Sequence, residues 1–377
     1  MTLSAQPLMI DKPATSTSSH LQHIRELDGV RGIAALMVFF HHVCFASLSP
    51  VGWNQPVHFL WTISSMGDSG VDLFFVLSGF LITSLLLPAR ESLAYYHDFY
   101  WKRALRILPL YILCMLGVLF FMPGSRGYVI LCALFLSNFA WLFHVGTAGP
   151  FWTLAIEEQF YLIWPTVVRR RSVAELRHWA LGIGLTAVLL RFVAAAFGHY
   201  NFRLTFFRCD ALAFGAVLAC WLYQRDRSRQ NSATENGAIA LAFFAGIFLF
   251  LMWLLPAQQA RTIAFLAAFR QTGITLLSGS IIAFLITHTG RGSISWLRSP
   301  LLTFFGLISY AMYMTHMYVL MLYDHLRGQL QPGDYANYIV RIVAVLAATI
   351  VLCLLTRYLI ELPAMSLRKY VLSKSRS

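Results

Sequence analysis

The sequence predicts an all-α fold: a polytopic integral membrane bundle of about ten transmembrane helices. Three observations predict it. First, 58% of the 377 residues are hydrophobic and only 12% are charged, where a soluble domain runs about 25% charged. Mean hydropathy is correspondingly high, at +0.64. Second, apolar runs of about 17–25 residues, the length that crosses a bilayer, recur along the chain. Third, lysine and arginine gather in the short links between alternate runs, as the positive-inside rule requires. The same links account for the net charge of +13, so nucleic acid is not an expected partner and the lipid bilayer is.

The polar, Ser/Thr-rich stretch 1–23 has no apolar core and reads as a disordered cytoplasmic tail rather than a signal peptide. The membrane domain is expected over 24–363, with a basic cytoplasmic tail at 364–377. Its first span is expected over 28–48 and its second over 70–88, followed by a basic patch of Arg90, Lys102, Arg103 and Arg106. A third span starts near Leu108 and stops at Pro123-Gly124. Further spans are expected over 151–168, 179–197, 209–224, 237–255, 271–289, 301–322 and 338–361. The run 128–143 is apolar too. If it crossed, Arg169-Arg170-Arg171 would fall on the side that the charge bias assigns to the outside. It is therefore expected to be re-entrant or interfacial, which leaves ten crossings and both termini in the cytoplasm.

Ionisable residues inside such spans are costly and point to function. Leu27-Asp28-Gly29-Val30-Arg31-Gly32 opens the first span and His41-His42 lies toward its end. Arg31 and His42, eleven positions apart, return to nearly one helix face at a separation of roughly 16 Å, and Asp28 joins that face. Histidine is the side chain best suited to move a proton near neutral pH. Glu157 and Glu158 are adjacent carboxylates in an apolar span. They point about 100° apart, so they do not act as one acid/base pair on one bond. Anchoring to Arg31, Arg191 or Arg208 is an equally good reading for them. Arg208 and Asp210, at the start of their span, read as a structural pair. Arg103 and Arg106 read either as lipid-head contacts or as a docking surface for an anionic nucleotide phosphate. Tyr310, Tyr313 and His316 repeat at three-residue spacing and share a helix side that can line a substrate site.

Other chemistries lack their signatures. The six cysteines include no Cys-x-x-Cys pair, so neither a zinc site nor a disulfide framework is indicated. No phosphate-binding Gly-x-x-x-x-Gly-Lys-Ser/Thr loop and no Gly-x-Ser-x-Gly elbow occurs. No metal is expected.

Six stretches together resemble the membrane acyltransferase-3 family, transmembrane O-acyltransferases of glycans and macrolides. They are Leu27–Leu36 with His42; Gly70-Val71-Asp72-Leu73-Phe74-Phe75-Val76-Leu77-Ser78-Gly79-Phe80; Arg103-Ala104-Leu105-Arg106-Ile107-Leu108-Pro109; Trp152 with Glu157-Glu158-Gln159-Phe160-Tyr161; Arg208-Cys209-Asp210; and Gly306 through His316. Lys102 stands where the family often has an arginine. The resemblance implies transfer of an acyl group, acetyl favoured, from cytoplasmic acyl-CoA to a hydroxyl of a saccharide or macrolide acceptor. The saccharide classes it implies are exopolysaccharide, O-antigen and lipo-oligosaccharide, and the location is the bacterial inner membrane. It makes Arg31 and His42 the essential pair. His42 is expected to act as general base or, in a variant mechanism, to take the acyl group first; Arg31 is expected on the donor. Glu157 or Glu158 is expected to orient His42. Asp28, Trp152, Tyr161, Tyr310 and His316 are expected to line the substrate, with Arg103 and Arg106 on the donor. A polytopic transporter and a glycan-binding membrane protein without chemistry are the alternatives.

Overall fold

The computed structural model describes residues 24–47, 55–122, 124–147, 149–199, 203–228, 232–256, 258–328, 330–331 and 333–367. The expected tail at 1–23 lies outside the described residues. Of the expected tail at 364–377, residues 364–367 continue a helix and the rest also lie outside. No strand occurs among the described residues.

The chain runs α1 (Arg25–Phe40), which continues into a π-helix (His41–Ala46), then α2 (Gln55–Ser65), α3 (Ser69–Ala89) and α4 (Tyr95–Phe121). Next come α5 (Arg126–Ala133), a 3-10 turn (Ser137–Phe143), α6 (Phe151–Arg170), α7 (Val173–Ala196), α8 (Thr205–Ser228) and α9 (Ser232–Leu251). The chain closes with α10 (Ala260–Thr287), α11 (Pro300–Arg327) and α12 (Tyr335–Thr356), which ends in a second π-helix (Arg357–Glu361). Among the described residues nine helical stretches are long and apolar enough to cross a membrane. The tenth long helix is α6, whose 20 residues span about 30 Å. Its hydropathy is lowered by Glu157 and Glu158 at its middle and Arg169 and Arg170 at its end.

Successive long helices alternate in direction, as side-chain contacts along them show. Near one end, Glu26 accepts from Arg298 and the Gly290 amide, and Tyr95 donates to the Pro165 carbonyl. Near the other end, Asp68 binds Arg270, Asp72 binds Arg208, and Asp324 binds Arg341. Arg90, Lys102, Arg103, Arg106, Arg169–Arg171, Arg291 and Arg298 thus collect at the first end, called the basic end below. The segment expected not to cross is broken in two. α5 has only eight residues, about 12 Å of helix, and Phe135 then turns the backbone at φ 53°.

Two boundaries differ from expectation. α4 begins at Tyr95, thirteen residues before the expected start at Leu108. The cationic turns belong to the same helix as the apolar ones because Lys102, Arg103 and Arg106 lie on one side, facing a cavity. α2 was not expected at all. Its eleven residues are too few to cross, and it leaves Phe59 and Ile63 exposed.

The bundle centre depends on close helix approach. α1 and α11 run parallel, with Gly32 against the Leu302 carbonyl and Gly306 against the Asp28 carbonyl. Small residues of this kind let membrane helices meet backbone to backbone. A Cβ at Gly306 would stand 2.1 Å from the Asp28 oxygen, so no rotamer relieves the clash. Gly306→Val is expected to destabilise the fold by roughly 1–3 kcal/mol or more, read as a lowered unfolding midpoint in detergent. A wild-type midpoint would contradict the packing described.

Candidate active site

Each site residue is carried by a long helix. α1, α3, α4, α6 and α11 enclose a cavity of about 650 Å³ in the half of the bundle nearer the basic end. Asp28 and Arg31 line it from α1, Ser78 from α3, Lys102, Arg103 and Arg106 from α4, Thr153 and Glu157 from α6, and Tyr310 and Tyr313 from α11. The shared face of Asp28 and Arg31 is therefore realised.

Charge in this cavity is unbalanced. Lys102 pairs with Asp98 on its own helix at 3.4 Å. Arg103 lies over the Tyr161 ring, 4.1 Å from its centroid. Among the described residues the ion pairs of the bundle use other arginines: Arg191 with Asp210, Arg208 with Asp72, Arg270 with Asp68, Arg298 with Glu26 and Arg341 with Asp324. Arg31, Arg103 and Arg106 stand in none of them. Asp28 and Glu157 are the carboxylates that face Arg31, while Glu361 faces Arg106. Three guanidiniums converging on one cavity suit an anion with several oxygens, since guanidinium donors match phosphate geometry.

Glu157 accepts from the Ser78 hydroxyl at 2.8 Å and from the Tyr161 hydroxyl at 3.2 Å. Glu158 turns away, as the 100° offset requires. It is absent from the cavity wall, and its Oε1 is buried without a hydrogen-bond partner among the described residues. The expectation that one of the two orients His42 is not met, because Glu157 is held by α3 and by its own helix. Of the alternative anchors, Arg31 does face Glu157, whereas the other two are taken. Arg191 is occupied by Asp210, and Arg208 by Asp72 and Gln271. The expected Arg208–Asp210 pair is thus replaced by two pairs, each to a different helix. Trp152 packs under Arg203 and Arg208, at 5.8 and 5.7 Å, away from the cavity wall. Tyr310 does line the cavity, and its hydroxyl donates to the Ile107 carbonyl at 2.7 Å.

Past the cavity wall, beyond Tyr313, stand the histidines. Tyr313, on the wall, shares a 2.7 Å hydrogen bond with Thr153, and its ring lies 6.3 Å from that of His316. His316 is buried, at 1% exposure, and its Nε2 lies 3.1 Å from Nδ1 of His42. His42 is only partly buried. The π-helix begins one residue before it, so α1 widens at the very turn that presents it. Such π segments are frequent at functional sites. Arg341 of α12, itself fully buried, holds that turn open. It donates to the Val43 carbonyl at 2.6 Å and to Ser47 at 2.9 Å while gripping Asp324 at 2.8 Å. The expected single polar stripe on α1 is therefore divided, with Asp28 and Arg31 in the cavity and His42 past its end. Ser78, Thr153 and Arg341 were not singled out from the sequence; Ser78 and Thr153 look like ordinary helix residues there, whereas Arg341, an arginine inside the expected 338–361 span, carried a signal that could have found it.

Among the described residues, ten long alternating helices, a guanidinium-lined cavity in the half nearer the basic end and a histidine pair beyond it define a polytopic helical membrane bundle with a polar interior. The comparison with known proteins agrees. The acyltransferase-3 family profile, described as an acyltransferase domain, matches residues 24–358, and the chain belongs to that family. It is 26% identical over 377 aligned positions to the peptidoglycan O-acetyltransferase OatA of Listeria monocytogenes, covering 91% of this chain and 56% of that one. It is 36% identical over 168 positions to the "Putative peptidoglycan O-acetyltransferase YrhL" of Bacillus subtilis, covering 39% of this chain and 24% of that one. The chain thus spans about half the length of OatA and a smaller part of YrhL. No solved structure matches.

Proposed function

We propose that this protein moves an acyl group, acetyl by preference, from acyl-CoA at the basic end to a hydroxyl of a glycan at the opposite side. The basic end faces the cytoplasm of a bacterial inner membrane by the positive-inside rule. The single observation that supports this reading best is the set of Arg31, Arg103 and Arg106 on one cavity, none of them in a direct ion pair among the described residues. CoA carries its phosphates at one end and its thioester at the end of a long thin arm. Arg103 and Arg106 then hold the phosphates, and Arg31 steadies the arm deeper in. The thioester is delivered past Tyr310 and Tyr313 toward His42.

His42 acts as general base. Its ring takes the proton of the acceptor hydroxyl as that oxygen attacks the thioester carbonyl. The C–S bond then breaks, and the same proton passes to the departing thiolate, so CoA leaves as a thiol and the acceptor as an ester. Glu157 accepts from Tyr161, which lies under Arg103, and faces Arg31, contacts that support a role on the donor side rather than on the base. The acceptor is a cell-envelope glycan of the peptidoglycan kind, following the activity for which OatA is named.

The experiment is transfer of labelled acetyl from acetyl-CoA to a panel of muropeptides and other envelope glycans by purified protein. Ester-linked label on a glycan is the expected result. Uptake of solute by proteoliposomes with no thioester cleavage would favour a transporter instead. Replacing Arg103 and Arg106 together by alanine is expected to raise KM for acetyl-CoA by about 10- to 100-fold, the loss of one or two charge-assisted phosphate contacts, and to leave kcat within a few-fold. A fall in kcat at unchanged KM would place these arginines elsewhere in the reaction.

A further inference from the structure

We propose that His316 is a positioning residue for His42, acting with the Val38 carbonyl on the Nδ1 side of that ring so that Nε2 is free to take a proton. The inference rests on His42 being the base and adds to that reading a group that helps make it one.

Two backbone carbonyls determine the argument. His316 Nδ1 lies 2.8 Å from the Met312 carbonyl oxygen. A carbonyl only accepts, so the proton of this ring sits on Nδ1 and Nε2 is left with a lone pair. His42 Nδ1 lies 2.9 Å from the Val38 carbonyl and 3.1 Å from that same His316 Nε2. Both neighbours are acceptors, so His42 Nδ1 carries the proton. Its Nε2 is thereby the bare nitrogen, able to receive a proton from a hydroxyl. Each ring is turned back on its own helix by the same four-residue step, and the two then meet across α1 and α11.

Charge makes the partnership more useful during the reaction. When Nε2 takes the acceptor's proton, His42 becomes an imidazolium and its Nδ1–H becomes a charge-assisted donor to His316. A carboxylate does this work in the serine-protease triad. Here Glu157 is engaged by Ser78 and Tyr161, and a second imidazole stands in that place. A neutral acceptor avoids the cost of burying an ion in an apolar span. His316 is fully buried and is not part of the cavity wall. It works through His42 and not on the substrate, in contrast to the substrate-lining role expected from spacing.

The test is acetyl-CoA turnover by the purified full chain with His42→Ala, His316→Leu and His316→Gln. Leucine fills the space without an acceptor, whereas the glutamine amide oxygen can accept the same Nδ1–H. His316→Leu is expected to lower kcat by roughly 10- to 100-fold, the loss of one charge-assisted hydrogen bond, with KM for acetyl-CoA unchanged. His316→Gln is expected to recover most of that loss. If the leucine protein does not fold, His316→Phe takes its place in the comparison. Wild-type kcat in the acceptor-less variant overturns the proposal, as does a glutamine variant no better than it. Those results leave the acyltransferase reading intact so long as His42→Ala is inactive. Wild-type turnover in His42→Ala removes the base itself, and this proposal with it.

Discussion

His42→Ala is expected to lower acetyl-CoA turnover by roughly 10²- to 10⁴-fold, the range that a positioned general base contributes. The effect falls on kcat. His42 is outside the cavity wall, and the groups that line it are unchanged by the substitution, so the donor still binds with its wild-type KM. Fold is also retained, because His42 is only partly buried and its ring bonds to one backbone carbonyl and to His316. Steady-state kinetics and an unfolding midpoint measured side by side check this. A variant that loses donor affinity in place of turnover would put His42 on the donor and leave the base unassigned.

Arg31→Ala acts on the other parameter. Arg31 is the guanidinium that α1 contributes to the cavity, and it is committed to no ion pair among the described residues. Its removal is expected to raise KM for acetyl-CoA by about 10- to 100-fold, as for loss of a hydrogen-bonded charged contact. Arg31→Lys restores part of the affinity, because an ammonium keeps the charge and loses the fork of donors. The control is CoA itself. Its inhibition constant is expected to rise by a similar factor, since CoA shares the phosphates and the arm with the substrate. An Arg31→Ala protein with unchanged CoA inhibition and collapsed kcat would move Arg31 from donor binding to stabilisation of the reacting carbonyl.

Much of the membrane architecture could be read before the fold. Apolar run length and the positions of arginine gave ten crossings, because a bilayer imposes one length and one charge asymmetry on every span. The same logic identified 128–143 as a segment that does not cross, and α5 is indeed too short. The limits have physical causes. Hydropathy placed the start of α4 at Leu108 because it averages over a helix whose cationic side faces a cavity. α2 escaped notice because an eleven-residue surface helix satisfies no length rule. The face shared by Asp28 and Arg31 was legible because it is local, set by helical pitch alone.

Pairings between helices were not legible in the same way. His42 and His316 are 274 positions apart, and nothing in either local pattern says that α1 and α11 meet in parallel. The carboxylates Glu157 and Glu158 offered a chemically sensible partner for His42 and for three arginines. The fold gave Glu157 to Ser78, and it gave Arg191 and Arg208 to Asp210 and Asp72. Every one of those choices depends on which helices are neighbours. The π turn at His41 and the Arg341 clamp that holds it open belong to the same class, since the clamp comes from α12.

In the proposed reaction one acyl group passes from a donor held at the basic end to a hydroxyl on the opposite side. Sidedness tests it most directly. Proteoliposomes are prepared with the basic end outward, glycan acceptor is trapped in the lumen, and labelled acetyl-CoA is added outside only. Labelled ester on lumenal glycan with free CoA remaining outside is the expected result, with loss of both in His42→Ala. Label confined to acceptor added on the outside, or CoA thiol released in the lumen, would contradict it.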